Sequence, residues 1–237
     1  MFSIFKRSPE PATPTASTPV AAPQERAGFT PEFSSDWFSH NTPAWTKFFH
    51  LIGWNPESPD NLGIEIGSYE GRSALWLLEN QFRHPASKLI CVDVFADADQ
   101  SDGYYCKFKH NIMDQPHGLR VEVYKGYSFD FLSKFVTDGK RCDFVYVDGS
   151  HRAADVLEDL ILGFRALKPG GLLICDDYMG GAGSNANLTL GSPKIAVDAF
   201  TNIYRDRIEI FGWQPINQCA FTKKGERDDD DPASRGR

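Results

Sequence analysis

The sequence has no apolar run approaching the roughly 20 residues that cross a bilayer as a helix, and this excludes a helical membrane span. Cationic residues are also in short supply. Lysine and arginine total 25 against 32 acids, for a net charge of −7, so a chain whose main task is gripping the phosphate backbone is excluded. Cysteine is sparse and odd in number. Cys91, Cys106, Cys142, Cys175 and Cys219 lie far apart, which suggests neither a disulfide framework nor a zinc knuckle. No G-x-S-x-G elbow and no G-x-G-x-x-G turn occurs, so hydrolase chemistry and the usual dinucleotide fingerprint lack support. The start, Met1-Phe2-Ser3-Ile4-Phe5-Lys6-Arg7, places its charges after a short apolar stretch, the wrong order for a secretory signal. The expectation is a cytoplasmic chain with neither a nucleic-acid nor a membrane partner.

The 237 residues, 41% hydrophobic and 24% charged, suffice for one domain of ordinary size. Residues 1–28 include a proline-rich stretch with almost no large apolar side chain and are expected to form a disordered leader. Residues 225–237, GERDDDDPASRGR, read as an acidic disordered tail, leaving 29–224 as the folded domain. There, short apolar runs alternate with amphipathic ones. Strands are expected at 62–67, 88–94, 120–125, 143–148 and 172–176, with helices at 72–82, 104–113, 129–135, 153–167 and 195–204. A glycine-rich loop spans 179–191, and two final runs, 208–213 and 219–223, are close enough to pair as a hairpin. Such alternation specifies a doubly wound, Rossmann-like α/β sheet, mostly parallel and covered on both faces. The aromatic segment 29–54 contains a helix start, Asn41-Thr42-Pro43, followed by Trp45, Phe48 and Phe49 on one face. It reads as a helix packed on the sheet or, in part, as a cap over a substrate cleft.

Chemistry concentrates at the strand ends. Gly67 lets the first strand turn sharply, and Gly71 opens the following helix N-terminus to an anionic group. Asp93, ending the second strand, can accept hydrogen bonds from both hydroxyls of a ribose. Asp148 ends the fourth strand, and Asp176 and Asp177 end the fifth. Neighbouring parallel strands lie about 4.8 Å apart, so these three carboxylates can face one point, where a hard cation such as Mg²⁺ would relieve their repulsion. His151, at the mouth of the same cleft, can act as a base toward a substrate hydroxyl.

The run Glu65-Ile66-Gly67-Ser68-Tyr69-Glu70-Gly71-Arg72-Ser73 resembles motif I of class I S-adenosylmethionine-dependent methyltransferases, particularly the catechol-type O-methyltransferases. The resemblance continues in order through Val92-Asp93, Lys125-Gly126-Tyr127-Ser128, Tyr146-Val147-Asp148-Gly149-Ser150-His151 and Lys168-Pro169-Gly170-Gly171 to Asp176-Asp177-Tyr178. The last pieces look most like the macrocin-type sugar O-methyltransferases. The resemblance implies a seven-stranded sheet of order 3-2-1-4-5-7-6 with strand 7 antiparallel. It also implies S-adenosylmethionine as cofactor, its methionine end held by Glu65, Gly67, Ser68, Tyr69, Gly71 and Ser73. Asp93 would take the ribose, Gly126, Tyr127 and Ser128 would border the adenine, and Asp148 would face both cofactor and metal. Two departures from the catechol-type pattern stand out. Asp177 replaces an asparagine, and His151 occupies the place of a lysine base.

The resulting expectation is O-methylation of a hydroxyl on a small molecule such as a sugar or natural product. Asp148, Asp176 and Asp177 would bind Mg²⁺, and His151, or else Asp148, would take the proton. A hydroxylase-related enzyme and a non-catalytic cofactor-binding protein on the same fold remain alternatives, as does association into a homo-oligomer.

Overall fold

In a computed structural model of the chain, residues 29–97, 103–180 and 192–225 are described. The anticipated leader, residues 226–237 of the anticipated tail and most of the glycine-rich loop lie outside them.

Seven strands form one sheet: β1 (Leu62–Ile66), β2 (Lys88–Asp93), β3 (Val121–Lys125), β4 (Cys142–Val147), β5 (Leu167–Cys175), β6 (Ile208–Ile210) and β7 (Cys219–Lys223). Their order is 3-2-1-4-5-7-6. The first five pair in parallel, and β7 runs antiparallel to both β5 and β6. Apolar residues fill both faces of the central strands. Ile64, Val92, Val145 and Leu173 pack beneath α4 (Ser128–Thr137), α5 (Ala153–Ala166) and α6 (Pro193–Tyr204). Leu89, Cys91, Phe144 and Ile174 pack beneath α1 (Thr42–Leu51), α2 (Arg72–Asn80) and α3 (Tyr104–Phe108). This burial on both sides explains why the strands read as continuous apolar runs rather than as alternating ones.

The helices follow their apolar stripes. In α5, Val156, Leu160, Gly163 and Phe164 are buried at helical spacing. A Cβ on Gly163 would meet Val145 at 3.1 Å, so glycine there sets the helix close against β4. The aromatic helix α1 starts with Pro43 in its first turn and buries Trp45, Phe48 and Phe49 against the sheet, as a packing helix should.

Three elements differ from the sequence expectation, the shortest being β6, which takes only Ile208–Ile210 of the run 208–213. The helix expected over 104–113 gives way after Phe108 to a π-helical turn, Lys109–Met113. That turn holds the fully buried Asn111 inward, where its amide bonds to the backbone of Glu32 and Glu70. Strand β5 begins five residues early, because Leu167 already pairs with Cys142 before the register shifts to Phe144–Leu172. Among the described residues, no helix is long and apolar enough to cross a membrane.

Candidate active site

The strand order reverses between β1 and β4, and ligands of open α/β sheets bind outside the carboxyl ends at such a point. Backbone bonds fix those ends in step. Asp148 N donates to Ile66 O, Asp176 N to Val147 O and Gly126 N to Asp93 O, each at 2.9 Å. Gly67 has φ +84°, and a Cβ there would lie 2.0 Å from the Asp148 carbonyl oxygen. Only glycine lets the first turn leave the sheet this close to β4.

A cavity of about 1280 Å³ opens over these ends. On its wall lie Gly67, Tyr69, Asp93, Gly126, Tyr127, Ser128 and Asp148 of the anticipated cofactor residues, together with His151, Asp176 and Asp177. Glu65, Ser68, Gly71 and Ser73 are not on the wall. Glu65 and Ser68 are buried, and Ser73 sits inside the first turn of α2. Gly71, expected to open the helix end to an anionic group, lies off the cavity wall and caps α2. Its φ is +86°, and a Cβ would meet Ile112 at 2.7 Å, so it serves packing against the π-helical turn.

The Asp93 carboxylate is aimed by its own loop. Tyr69 N donates to Oδ2 at 3.0 Å and Phe95 N to Oδ1 at 2.8 Å, which leaves one lone pair on each oxygen for a vicinal diol. Beneath it, Glu65 is fully buried, and its Oε1 has no hydrogen-bond partner. Burial pushes its carboxyl up to about 7. An unmatched acceptor one residue from the wall and a diol-sized carboxylate on it fit a ligand carrying an amino group and a ribose.

The opposite wall carries the acids. His151 Nε2 lies 2.7 Å from Asp177 Oδ2, both partly exposed, and this bond raises the imidazole above its usual value. Ligand atoms of Asp148, His151 and Asp177 all lie within 4.8 Å of one another. The sequence grouped Asp148, Asp176 and Asp177 instead. Asp176 is adjacent but already engaged, its Oδ2 accepting from Tyr146 and Gln218 and its Oδ1 from Asp177 N. Burial raises the Asp148 carboxyl well above the ordinary range, and the neighbouring Asp176 charge adds to the shift. Asp176 is raised chiefly by burial as well.

Several wall residues had escaped the sequence reading. Asp36, Trp37 and His40 form the mouth. Trp37 stacks on Tyr69 at 5.4 Å, and Tyr69 stacks on Tyr104 at 5.1 Å. Part of the aromatic segment therefore does border the cavity, through Trp37 rather than through α1. Residues 32–36 are fastened to the β1–α2 turn. Ser34 N donates to Glu70 Oε2 at 2.6 Å, Arg72 donates twice to Ser35 O, and Lys107 pairs with Glu70 at 3.1 Å. Asp159 of α5 also faces the cavity, its carboxyl pushed up to about 7 by burial. Its helical spacing offered no signal separating it from a solvated acid.

Residues 64–178 match the family model described as a methyltransferase domain. Among solved structures, the chain is similar to an O-methyltransferase from Bacillus cereus in complex with SAH, at 16% identity and a TM-score of 0.59 over 80% of this chain and 84% of that one. It is also similar to the O-methyltransferase TomG from Streptomyces achromogenes, in complex with SAM, at 18% identity and a TM-score of 0.59 over 77% and 80%. The mycinamycin-pathway methyltransferase MycE, in complex with Mg, SAH and mycinamycin VI, aligns at 23% identity and a TM-score of 0.53 over 83% of this chain and 52% of that one. An uncharacterized protein of Acanthamoeba polyphaga mimivirus is 28% identical over 124 residues, 52% of this chain, and the match spans 53% of that relative's length. Residues 64–178 form a methyltransferase domain, and the sheet built around them has the class I S-adenosylmethionine-dependent methyltransferase fold.

Proposed function

We propose that the protein transfers the methyl group of S-adenosylmethionine to a hydroxyl oxygen of a small molecule, with a divalent cation such as Mg²⁺ at the acidic wall. The observation that carries this reading is one cavity, at the strand-order switch, with Asp93 on one side and the Asp148, His151 and Asp177 group on the other. The similar solved structures support it, since the complexes of TomG and MycE pair this fold with SAM or SAH, and that of MycE with Mg.

In this reading Asp93 binds the ribose diol, Gly126, Tyr127 and Ser128 border the adenine, and the Glu65 region holds the methionine end. Asp148 and Asp177 would hold the cation, with Asp176 beside them. A cation bound there supplies positive charge that stabilises the acceptor oxygen as its proton leaves. His151, oriented by Asp177, takes that proton through its neutral ring. The walls would bring the acceptor hydroxyl and the cofactor's methyl group together, and positioning of this kind accounts for much of the acceleration in group transfer. Trp37, Asp36 and His40 at the mouth would meet the rest of the acceptor. A cavity of about 1280 Å³ has room for a cofactor together with a small acceptor such as a sugar or natural product.

Transfer of label from methyl-tritiated cofactor to a panel of phenolic and glycosyl hydroxyls tests the reading. Transfer should stop in excess chelator and return with Mg²⁺, and His151→Ala should slow it by about 10²–10⁴-fold. Full transfer in excess chelator would remove the cation. Cofactor binding with no transfer to any acceptor would contradict the enzyme reading.

A further inference from the structure

Tyr146 of β4 precedes Asp148, the residue just past the strand's end, by two positions, and the two side chains meet there. The ring is buried, packed edge-on against Trp45 of α1 at a centroid distance of 4.7 Å. Its hydroxyl lies 2.8 Å from Asp148 Oδ2 and 2.5 Å from Asp176 Oδ2. The phenol oxygen therefore bridges the two carboxyl groups and fixes the spacing between them.

A second line of bonds backs this bridge. Gln218 Nε2 donates to the same Asp176 oxygen at 2.9 Å, while Gln218 Oε1 accepts from Trp45 Nε1 at 3.0 Å. Because the indole N–H can only donate, it forces the amide to point its own N–H groups at Asp176. The other Asp176 oxygen accepts from Asp177 N at 2.8 Å. Asp177 has φ +55°, a conformation uncommon for a residue with a Cβ, and in it Asp177 meets His151 at 2.7 Å. The line therefore runs from α1 through β7 to the ends of β5 and β4.

We infer that Tyr146, backed by Gln218 and Trp45, is the positioning residue that clamps Asp148 to Asp176 and sets the aim of the Asp148, His151 and Asp177 donor group. The inference rests on the reading of Asp148 and Asp177 within that group as the cation's ligands, with His151 beside them as the base. It assigns Asp176 the role of holding its neighbours, through Tyr146 on one oxygen and the Asp177 backbone on the other. It also gives α1 a function beyond packing, since the Trp45 indole N–H is the far end of the chain.

Tyr146→Phe keeps the ring and removes the bridge, and Gln218→Leu removes the backing while keeping the volume. The test measures Mn²⁺ affinity by electron paramagnetic resonance on the purified full chain, S-adenosylhomocysteine affinity by calorimetry, and the crystal structure of each variant. Tyr146→Phe should weaken Mn²⁺ binding by about 10- to 100-fold, with Gln218→Leu changing it in the same direction by less. S-adenosylhomocysteine affinity should hold, since the Asp93 contacts are untouched, and in the crystal the Asp148 and Asp176 carboxylates should swing apart. Unchanged Mn²⁺ affinity with both carboxylates in place would overturn the inference. If the unmodified protein binds no Mn²⁺ at millimolar concentration, the cation reading fails by itself. The crystal structures then decide the clamp: carboxylates that stay put refute it, and carboxylates that separate sustain it. Should Tyr146→Phe not fold, Gln218→Leu answers the same two questions.

Discussion

Gly67 and Glu65 carry opposite kinds of constraint, one steric and one electrostatic. At Gly67 a methyl group would sit 2.0 Å from backbone oxygen in the left-handed region, a clash that no rotamer can relieve. Gly67→Ala should lower stability by more than about 3 kcal/mol, as strained backbone combined with overlap does, and denaturant unfolding would read it. Glu65 is held without a partner for Oε1, and its carboxyl is raised to about 7. Below the ordinary glutamate range it is protonated in both folded and unfolded chains. As pH climbs toward 7 the unfolded chain loses the proton first, so stability falls with rising pH and levels off above 7. The loss is on the order of 3 kcal/mol. Glu65→Gln should lack this slope and gain stability relative to the unmodified protein between pH 5 and pH 8. Equal pH dependence in the two proteins would show that Glu65 is not the buried acid described.

Elements whose cause is local were legible in the sequence. The parallel strands announced themselves as apolar runs ending in glycine or aspartate, and α5 did so by its spacing. Cys219–Lys223 forms a strand as expected, whereas only Ile208–Ile210 of its partner run does. The candidate site was legible where one strand end carried one polar side chain to the cavity wall, as at Asp93 and Asp148. It was not legible where two distant elements had to meet. Gln218 acquires its contact with Asp176 from the β5–β7 register, and no feature around it signals that pairing. The wall formed by Asp36 and Trp37 likewise depends on Glu70, Arg72 and Asn111 gripping residues 32–36. Glu70→Gln removes the charge that Lys107 and the Ser34 N–H both use and should cost about 1–3 kcal/mol. It should also speed hydrogen exchange at the Ser34 amide, while amides of β4 keep their protection. Unchanged exchange at Ser34 would mean that the segment is held by its aromatic contacts alone.

For the whole molecule, the sheet order supplies the crevice and the strand ends supply its chemistry. Helices on both faces leave the carboxyl edge as the place where polar groups gather around a cavity large enough for a cofactor and an acceptor together. In the proposed reading the two walls divide the labour, Asp93 and the β1–α2 turn on one side and Asp148, His151 and Asp177 on the other. That division predicts separable defects, with Asp93 variants losing cofactor affinity and variants of the acidic wall losing turnover. The most direct measurement is calorimetric titration of S-adenosylhomocysteine into the unmodified protein and Asp93→Ala. The account predicts one site per chain, weakened in the variant by about 1.5–3 kcal/mol, the range for a hydrogen bond to a charged group. Equal affinity in the two proteins would place the cofactor elsewhere and contradict the assignment of this cavity.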